Sequence, residues 1–440
     1  MAIAIAAALA LFTLGFGMIS GRIEKSILTP PMVFVTFGLG ISPLMLQVID
    51  VNHHGGIIDI IATTTLVMVL FTDSSRIDLK LLRRQHTLPV RLLGVGLPIT
   101  IGLGAVVAWL LFPSFNSWEA VAIAAILAPT DAALGQAVVS SPSVPVRIRQ
   151  ALNVESGLND GICLPILLMA LSLASRAEGG ATAGYWLSFA LAQVLLGPVA
   201  GIGVGFIGGG LVSRSARLHW MNENYQRLSL VAIAVLAYCG AELIGGNGFI
   251  AAFCAGLTLG NTARVVCPRL YEFGETEGQF LVLVTFLIYG GVMITPTMVG
   301  ANGAVILYAL LSLTLVRMIG VAISLLGLSL RFDTQLFLGW FGPRGIASVL
   351  YVLLVLDQDG LPNRDLIFTI VVVTVLLSVF AHGVTAFSGA NWYARRMNSI
   401  QDTSQVVEHD SVDEMPVRTP YRAQHGEMLE MSASGVNLTF

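Results

Sequence analysis

The chain has 440 residues, of which 55% are hydrophobic and only 11% charged, with a formal net charge of −3 and a mean hydropathy of +0.81. Soluble domains carry roughly 25% charged residues, so the composition excludes a soluble globular protein and predicts an all-α polytopic membrane protein. Of the four cysteines, Cys163, Cys239 and Cys254 fall inside apolar stretches and Cys267 in a loop. That spacing offers neither a metal site nor a disulfide framework, and neither a cofactor nor a nucleic-acid partner is expected.

Taken in order, about thirteen apolar stretches come near the roughly 20 residues a helix needs to cross a bilayer. They lie at 2–20, 29–48, 57–75, 88–112, 118–140, 148–172, 185–212, 227–243, 247–263, 278–297, 302–327, 334–355 and 364–388. No basic residue precedes the first, and Arg22 and Lys25 follow it, so it is expected to be retained and not cleaved as a signal peptide. Loops after odd-numbered spans hold nearly all the Lys and Arg, from Arg22 and Lys25 through Arg83 and Arg84 to Arg264, Arg269 and Arg331. Loops after even-numbered spans hold only Arg176 and Arg364. The positive-inside rule then puts the N-terminus outside and the C-terminus in the cytoplasm, and a bacterial inner membrane is expected.

The fifth span is interrupted at its centre by Ala128-Pro129-Thr130-Asp131 and the twelfth by Phe341-Gly342-Pro343-Arg344-Gly345. A proline removes one helical hydrogen bond and crowds the carbonyl four residues back. Either break alone reads as a tolerated kink. As a pair they occupy the fifth place in two six-span sets, one to six and eight to thirteen, with opposite senses across the membrane. That pattern predicts two inverted six-helix repeats whose broken helices five and twelve form an ion site near the midplane.

The sixth span carries Val154-Glu155-Ser156-Gly157-Leu158-Asn159-Asp160-Gly161. An ionisable group at the centre of a bilayer costs about 3 kcal/mol on insertion scales, so two carboxylates and an amide here imply a function. The alternative is a polar contact between helices. Ser156 and Asp160 are four apart and share one helical face, and Glu155 and Asn159 share the neighbouring one. The first face offers hydroxyl and carboxylate oxygens, which suit a small hard cation. Asp131, Asp160 and Arg344 all lie near the centres of their spans, and Asp73 closes the third span on the cytoplasmic side. With Glu155 they describe a negative funnel that concentrates cations. Beyond the last span, residues 391–440 turn polar and acidic, with Arg395 and Arg396 first and Glu408, Asp410, Asp413 and Glu414 later. This composition predicts a disordered cytoplasmic tail.

At these positions the chain resembles the sodium/proton antiporters of the first monovalent cation:proton antiporter family, in the branch with an Asn-Asp pair in the sixth helix. The matching elements are Pro129-Thr130-Asp131, the Glu155–Gly161 stretch, Gly245-Gly246-Asn247-Gly248-Phe249-Ile250-Ala251-Ala252-Phe253 and Gly342-Pro343-Arg344-Gly345. They occur in the family's order over about residues 1–390. The resemblance implies a homodimer in the lipid bilayer. A core bundle (about 88–172 and 302–388) moves against a dimerisation part (about 1–75 and 185–297). It implies that Asp160 is the carboxylate shared by proton and cation, that Ser156, Asp131 and the Thr130 carbonyl are further cation ligands, and that Asn159 belongs to the same site. A Glu155–Arg344 pair would be structural. Asp73 departs from the pattern, since some relatives carry Glu there.

The chemistry agrees with that expectation. Burial favours the protonated carboxyl and a bound cation the ionised one, so H+ and Na+ (or Li+ or K+) compete for Asp160. The chain has no G-x-x-x-x-G-K-[ST] run for ATP, so an ion gradient supplies the energy. The expectation is electroneutral one-for-one exchange serving pH homeostasis, with no enzyme activity; a K+/H+ antiporter of the same fold is the alternative. Two remoter readings fit less well. An intramembrane aspartyl protease needs its second Asp within Gly-x-Gly-Asp, and a cation channel needs a selectivity-filter repeat.

Overall fold

Asparagines start many of the helices. Asn116, Asn222, Asn247 and Asn302 stand at N-caps with extended backbone, and their side-chain oxygens accept main-chain N–H groups of the first turn. Each such cap is worth about 1 kcal/mol relative to alanine. The computed structural model describes residues 2–23, 26–42, 56–84, 87–131, 134–139, 141–175, 183–294, 301–356, 358, 360–401 and 408. Among the described residues there are helices and no strand. In chain order they are α1 (Ala2–Ile23), α2 (Pro30–Ile41), α3 (Gly56–Ser75), α4 (Leu79–Arg84), α5 (Thr87–Leu111), α6 (Ser117–Ile126), α7 (Gln136–Val139) and α8 (Val146–Ala174). The second half of the chain gives α9 (Ala183–Arg217), α10 (Glu223–Leu243), α11 (Gly248–Thr262), α12 (Cys267–Met293, bent at Thr276), α13 (Gly303–Ser324), α14 (Phe332–Trp340), α15 (Ile346–Leu356) and α16 (Arg364–Gln401).

Helices α5, α8, α9, α10, α12, α13 and α16 are each long and apolar enough to cross a membrane, and α1, α2, α3, α6, α11 and α15 are shorter apolar helices beside them. Apolar side chains of α9 such as Leu195, Val199, Phe206 and Leu211 point outward, as lipid-facing residues of an integral membrane protein do. Both predicted breaks are present. Residues 127–131 are unwound between α6 and α7, and residues 341–345 between α14 and α15.

Two sets of helices pack by different means. In one, α9, α11 and α3 meet backbone to backbone: Gly201 and Gly205 leave no room for a methyl against Ala251 and Ala255, nor do Gly256 and Gly260 against Phe71 and Ser75. Close approach through small residues is how helices gain contact energy where lipid offers no hydrophobic drive. Ser74 Oγ donates to the Phe253 carbonyl (2.8 Å) and Asn261 Nδ2 to the Ile77 carbonyl (2.8 Å), strapping α3 to α11. In the other set, α5 and α13 lie side by side. Tyr308 donates to the Gly104 carbonyl (3.3 Å), and the Thr100 hydroxyl fills the space beside Gly320. Each of these helices contains a π turn, Leu92–Gly96 in α5 and Ser312–Val316 in α13. Such bulges shift the register of the residues that follow, and in α13 the next residue is Arg317.

One predicted boundary moves. Residues 391–401, expected to belong to the tail, are helical, because α16 continues to Gln401. Tyr393 stacks on Phe337 (centroids 4.1 Å apart, 17° between planes) and Met397 is buried, and this apolar anchorage carries the helix past its charged Arg395 and Arg396. Apart from Glu408, the predicted tail beyond Gln401 lies outside the described residues. Glu408 is buried, and its Oε1 accepts the Arg331 N–H (2.9 Å) and the Thr334 hydroxyl (2.8 Å), capping the start of α14.

Candidate ion-exchange site

The site is assembled where the two unwound segments meet α8. At the first, α6 stops and leaves carbonyls with no helical partner. Arg344 supplies them: its Nη1 donates to the Ala128 carbonyl (2.9 Å) and the Pro129 carbonyl (3.3 Å), while Ser348 Oγ donates to the Ile126 carbonyl (2.7 Å). At the second, the N-terminal N–H groups of α15 need acceptors. Asp131 Oδ2 accepts the Ile346 N–H (2.9 Å), and the Asp131 N–H donates to the Pro343 carbonyl (2.8 Å). The two breaks thus exchange charges. A cation from the twelfth span answers the negative end of α6, and an anion from the fifth answers the positive end of α15.

The packing of this crossover accounts for Gly342, Arg344 and Gly345. A Cβ at position 345 would fall on the Asp131 carboxylate, 2.6 Å from Cγ, and one at 342 would fall on the Arg317 guanidinium, 2.6 Å from Nε. The Arg344 N–H donates to Ser378 Oγ (2.6 Å), which in turn lies 3.1 Å from His382 Nδ1. The crossover is therefore fastened to α16 as well.

Helix α8 presents its polar residues to this crossover. Ser156 Oγ donates to the Thr130 carbonyl (2.7 Å), and Asn159 Nδ2 donates to Thr130 Oγ1 (2.7 Å). Tyr351 of α15 donates to the Asp160 carbonyl (2.9 Å). Glu155, Asn159 and Asp160 are buried, and Ser156 and Asp131 are half-buried. The structure thus brings Thr130, Asp131, Ser156, Asn159 and Asp160 together. Asp73 is half-buried at the end of α3, whose turn packs against α8 at Gly157, one turn before Asp160. A narrow cleft lined by Thr130, Asp131, Val138, Leu152, Ser156 and Phe341 reaches these groups, and Asp160 does not line it.

One expected pairing is corrected. Glu155 is held by Arg317, which grips both carboxylate oxygens (Nη2 to Oε2 2.8 Å), with both side chains buried. Arg344 is occupied by the orphaned carbonyls of α6, and the guanidinium that reaches Glu155 comes from α13 through the gap left by Gly342. The sequence did carry a signal for Arg317, a lone arginine near the middle of the eleventh apolar stretch. Tyr351, Ser348 and Ser378 carried none, since neutral polar residues are common in membrane helices, whereas His382 is an ionisable residue within the thirteenth apolar stretch and was a signal of the same kind as Arg317. Around the crossover stand three carboxylates (Asp131, Glu155, Asp160) and two guanidiniums (Arg317, Arg344), all held in buried or half-buried positions.

Residues 6–392 match the family model for the transmembrane sodium/hydrogen exchanger. The chain belongs to the sodium/hydrogen exchanger family. The chain is 23% identical over 398 residues to the K(+)/H(+) antiporter NhaP of Alkalimonas amylolytica, covering 90% of this chain and 67% of that one. It is 25% identical over 344 residues to the Na(+)/H(+) antiporter NhaS2 of Synechocystis sp., covering 74% of this chain and 60% of that one. It spans 57% of the length of the K(+)/H(+) antiporter NhaP2 of Shewanella sp. strain MR-4, at 23% identity. Among solved structures, the sodium proton antiporter MjNhaP1 from Methanocaldococcus jannaschii at pH 8 superposes with a TM-score of 0.75 at 22% identity, covering 90% of this chain and all of that one. The chain is thus an integral membrane protein of a cation/proton antiporter family, with the all-helical antiporter fold.

Proposed function

We propose that this chain exchanges protons for Na+ at Asp160, one for one, by alternating access. The observation that carries the proposal is the charge count at the crossover. Glu155 is bound to Arg317, and Asp131 and Arg344 each answer a half-helix end, so three acids face two bases. The crossover thus carries one acid more than bases, and Asp160, buried on the helical face it shares with Ser156, is the one we assign to exchange. A buried carboxylate must be neutralised before it crosses a low-dielectric barrier. Either a proton or one monovalent cation does this, and they exclude each other. When the cation binds, Ser156 Oγ, the Thr130 carbonyl and Asp131 are the added oxygen ligands, and Asn159 holds Thr130 in place. The loaded site moves, the empty anionic one does not, and exchange is compulsory.

The remaining architecture follows the same reading. Thirteen crossings place the N-terminus outside and the C-terminus in the cytoplasm of a bacterial inner membrane, with Asp73 at the cytoplasmic approach. The core bundle (88–172 and 302–388) moves against the dimerisation part (1–75 and 185–297) of a homodimer. A second reading, K+/H+ exchange at the same residues, is favoured by the names of several relatives, which are K(+)/H(+) antiporters. Proteoliposomes loaded with a pH dye and given Na+, Li+ or K+ in turn decide between them. Proton efflux with Na+ and little with K+ is expected. Efflux with K+ alone assigns the second reading, and no cation-driven proton movement overturns both.

A further inference from the structure

The polar side of α8 is bound to the crossover by hydrogen bonds, but the side carrying Gly157 and Gly161 meets a different body. Ile77, just beyond α3, sits on Gly157, where a Cβ would lie 3.0 Å from its Cδ1. Phe253 of α11 sits on Gly161, where a Cβ would lie 2.5, 2.6 and 2.7 Å from Cζ, Cε2 and Cε1. The end of the ring therefore occupies the place of a side chain, one residue from Asp160. Phe253 is buried, and its own carbonyl accepts Ser74 Oγ, so the ring is mounted on the strapped α3–α11 pair. Glycine in the interior of a helix is unfavourable relative to alanine, and nothing in the turn around Gly161 needs its backbone freedom, since α8 is unbroken there. The close ring accounts for it.

We infer that Phe253 gates the exchange site. Its ring is the part of the α3–α11 body that must slide off Gly161 each time Asp160 changes the side it faces, and the glycine keeps that passage smooth. A helix face held by hydrogen bonds resists sliding, whereas a flat ring end against a bare backbone offers only dispersion contacts, which are individually weak. The inference rests on Asp160 being the exchanging carboxylate, and gives that site a gating residue on the opposing body.

The test uses full-length protein in proteoliposomes and in detergent. Gly161→Ala is expected to cut exchange by about tenfold or more, as overpacking against the ring blocks the movement. Its Na+-dependent thermal stabilisation is expected to match that of the wild type, because the ligands are untouched. Phe253→Ala/Gly161→Ala is expected to recover exchange to within a few-fold of Phe253→Ala alone. Wild-type exchange in Gly161→Ala overturns the inference, as does failure of the double variant to recover, or loss of the Na+ thermal shift in Gly161→Ala. Should Gly161→Ala not insert, Phe253→Trp takes its place, with slowed exchange and an unchanged thermal shift expected; unchanged exchange overturns the inference. Asp160→Asn run in parallel keeps the two readings apart. If it still exchanges, the site assignment fails; if it is dead while Gly161→Ala works normally, the gate alone fails.

Discussion

The two sides of α8 do opposite jobs with residues only one or two positions apart. On one side Glu155, Ser156 and Asn159 are tied to Arg317 and Thr130, and the Asp160 carbonyl to Tyr351. On the other, Gly157 and Gly161 present bare backbone to Ile77 and Phe253. If Asp160 is the exchanging carboxylate, the difference makes the proposed site rigid toward its own ligands and yielding toward the α3–α11 pair that faces it. The largest test of this comparison is Asp160→Asn. It removes the charge of the proposed exchanging carboxylate while preserving shape, so cation-driven proton movement is expected to fall to background while insertion is retained. Robust sodium-driven proton movement in the purified variant would refute the assignment.

Next in size is the anchoring of the rigid side. Breaking a buried ion pair by deleting one partner costs about 3–5 kcal/mol, because the other charge is stranded. Arg317→Ala is therefore expected to destabilise the protein strongly in detergent, and Glu155→Gln/Arg317→Ala to recover part of the loss. The same cycle with Arg344 is expected to show little coupling to Glu155, since Arg344 holds the carbonyls of Ala128 and Pro129. Equal coupling in both cycles, read as interaction energies from denaturation midpoints, would contradict the observed pairing.

That pairing marks the limit of what the sequence discloses. Pro129 and Pro343 announce two broken helices because a proline cannot complete the helical ladder, and the four-residue spacing of Ser156 and Asp160 announces their shared face. Both are local properties of one segment. Which arginine lies opposite Glu155 depends on how α13 and the 341–345 segment sit in space. The expected partner, Arg344, belonged to the motif, whereas Arg317 stands in a different apolar stretch. The choice was made by unpaired carbonyls at the end of α6 and by the missing side chain at Gly342. The end of α16 is hidden in the sequence for a related reason: Arg395 and Arg396 look like the start of a tail, while Tyr393 and Met397 are held by α14 and its surroundings.

The third prediction sharpens the charge count on the rigid side. If one proton is traded for one monovalent cation, as proposed, an imposed membrane potential is expected to leave the rate of Na+ uptake nearly unchanged. Asn159→Asp adds a second ionisable group beside Thr130, which an amide is not. Exchange in that variant, if retained, is expected to become voltage-dependent, measured with a potassium-diffusion potential after K+ has been tested as a substrate. A steep voltage dependence in the wild type would bring Asp131 or the Glu155–Arg317 pair into the proton pathway.

The smallest effect is expected at the strap that holds the gating body together outside the membrane. Asp78, just past α3, accepts the N–H groups of Lys80 and Leu81 and pairs with Arg264 beyond α11 (2.5 Å). Burial alone would raise its carboxyl, but the Leu81 N–H, the Arg264 guanidinium and the Lys80 N–H outweigh it and hold the group below its ordinary value of 3.8. A carboxyl lowered by folding contributes stability that is complete above that ordinary value and is lost as pH falls through the lowered one. Asp78→Asn is therefore expected to change the melting temperature by the same small amount throughout about pH 5 to 8. The Arg264 side chain is 53% exposed, so screening keeps the pair near 0–1 kcal/mol. Exchange is expected to be unaffected, because Ser74, Asn261, Gly256 and Gly260 still lock α3 to α11 nearer the gate. A large loss of exchange in Asp78→Asn, with stability preserved, would mean that the α3–α11 body is not rigid and that the yielding side of α8 includes its partner.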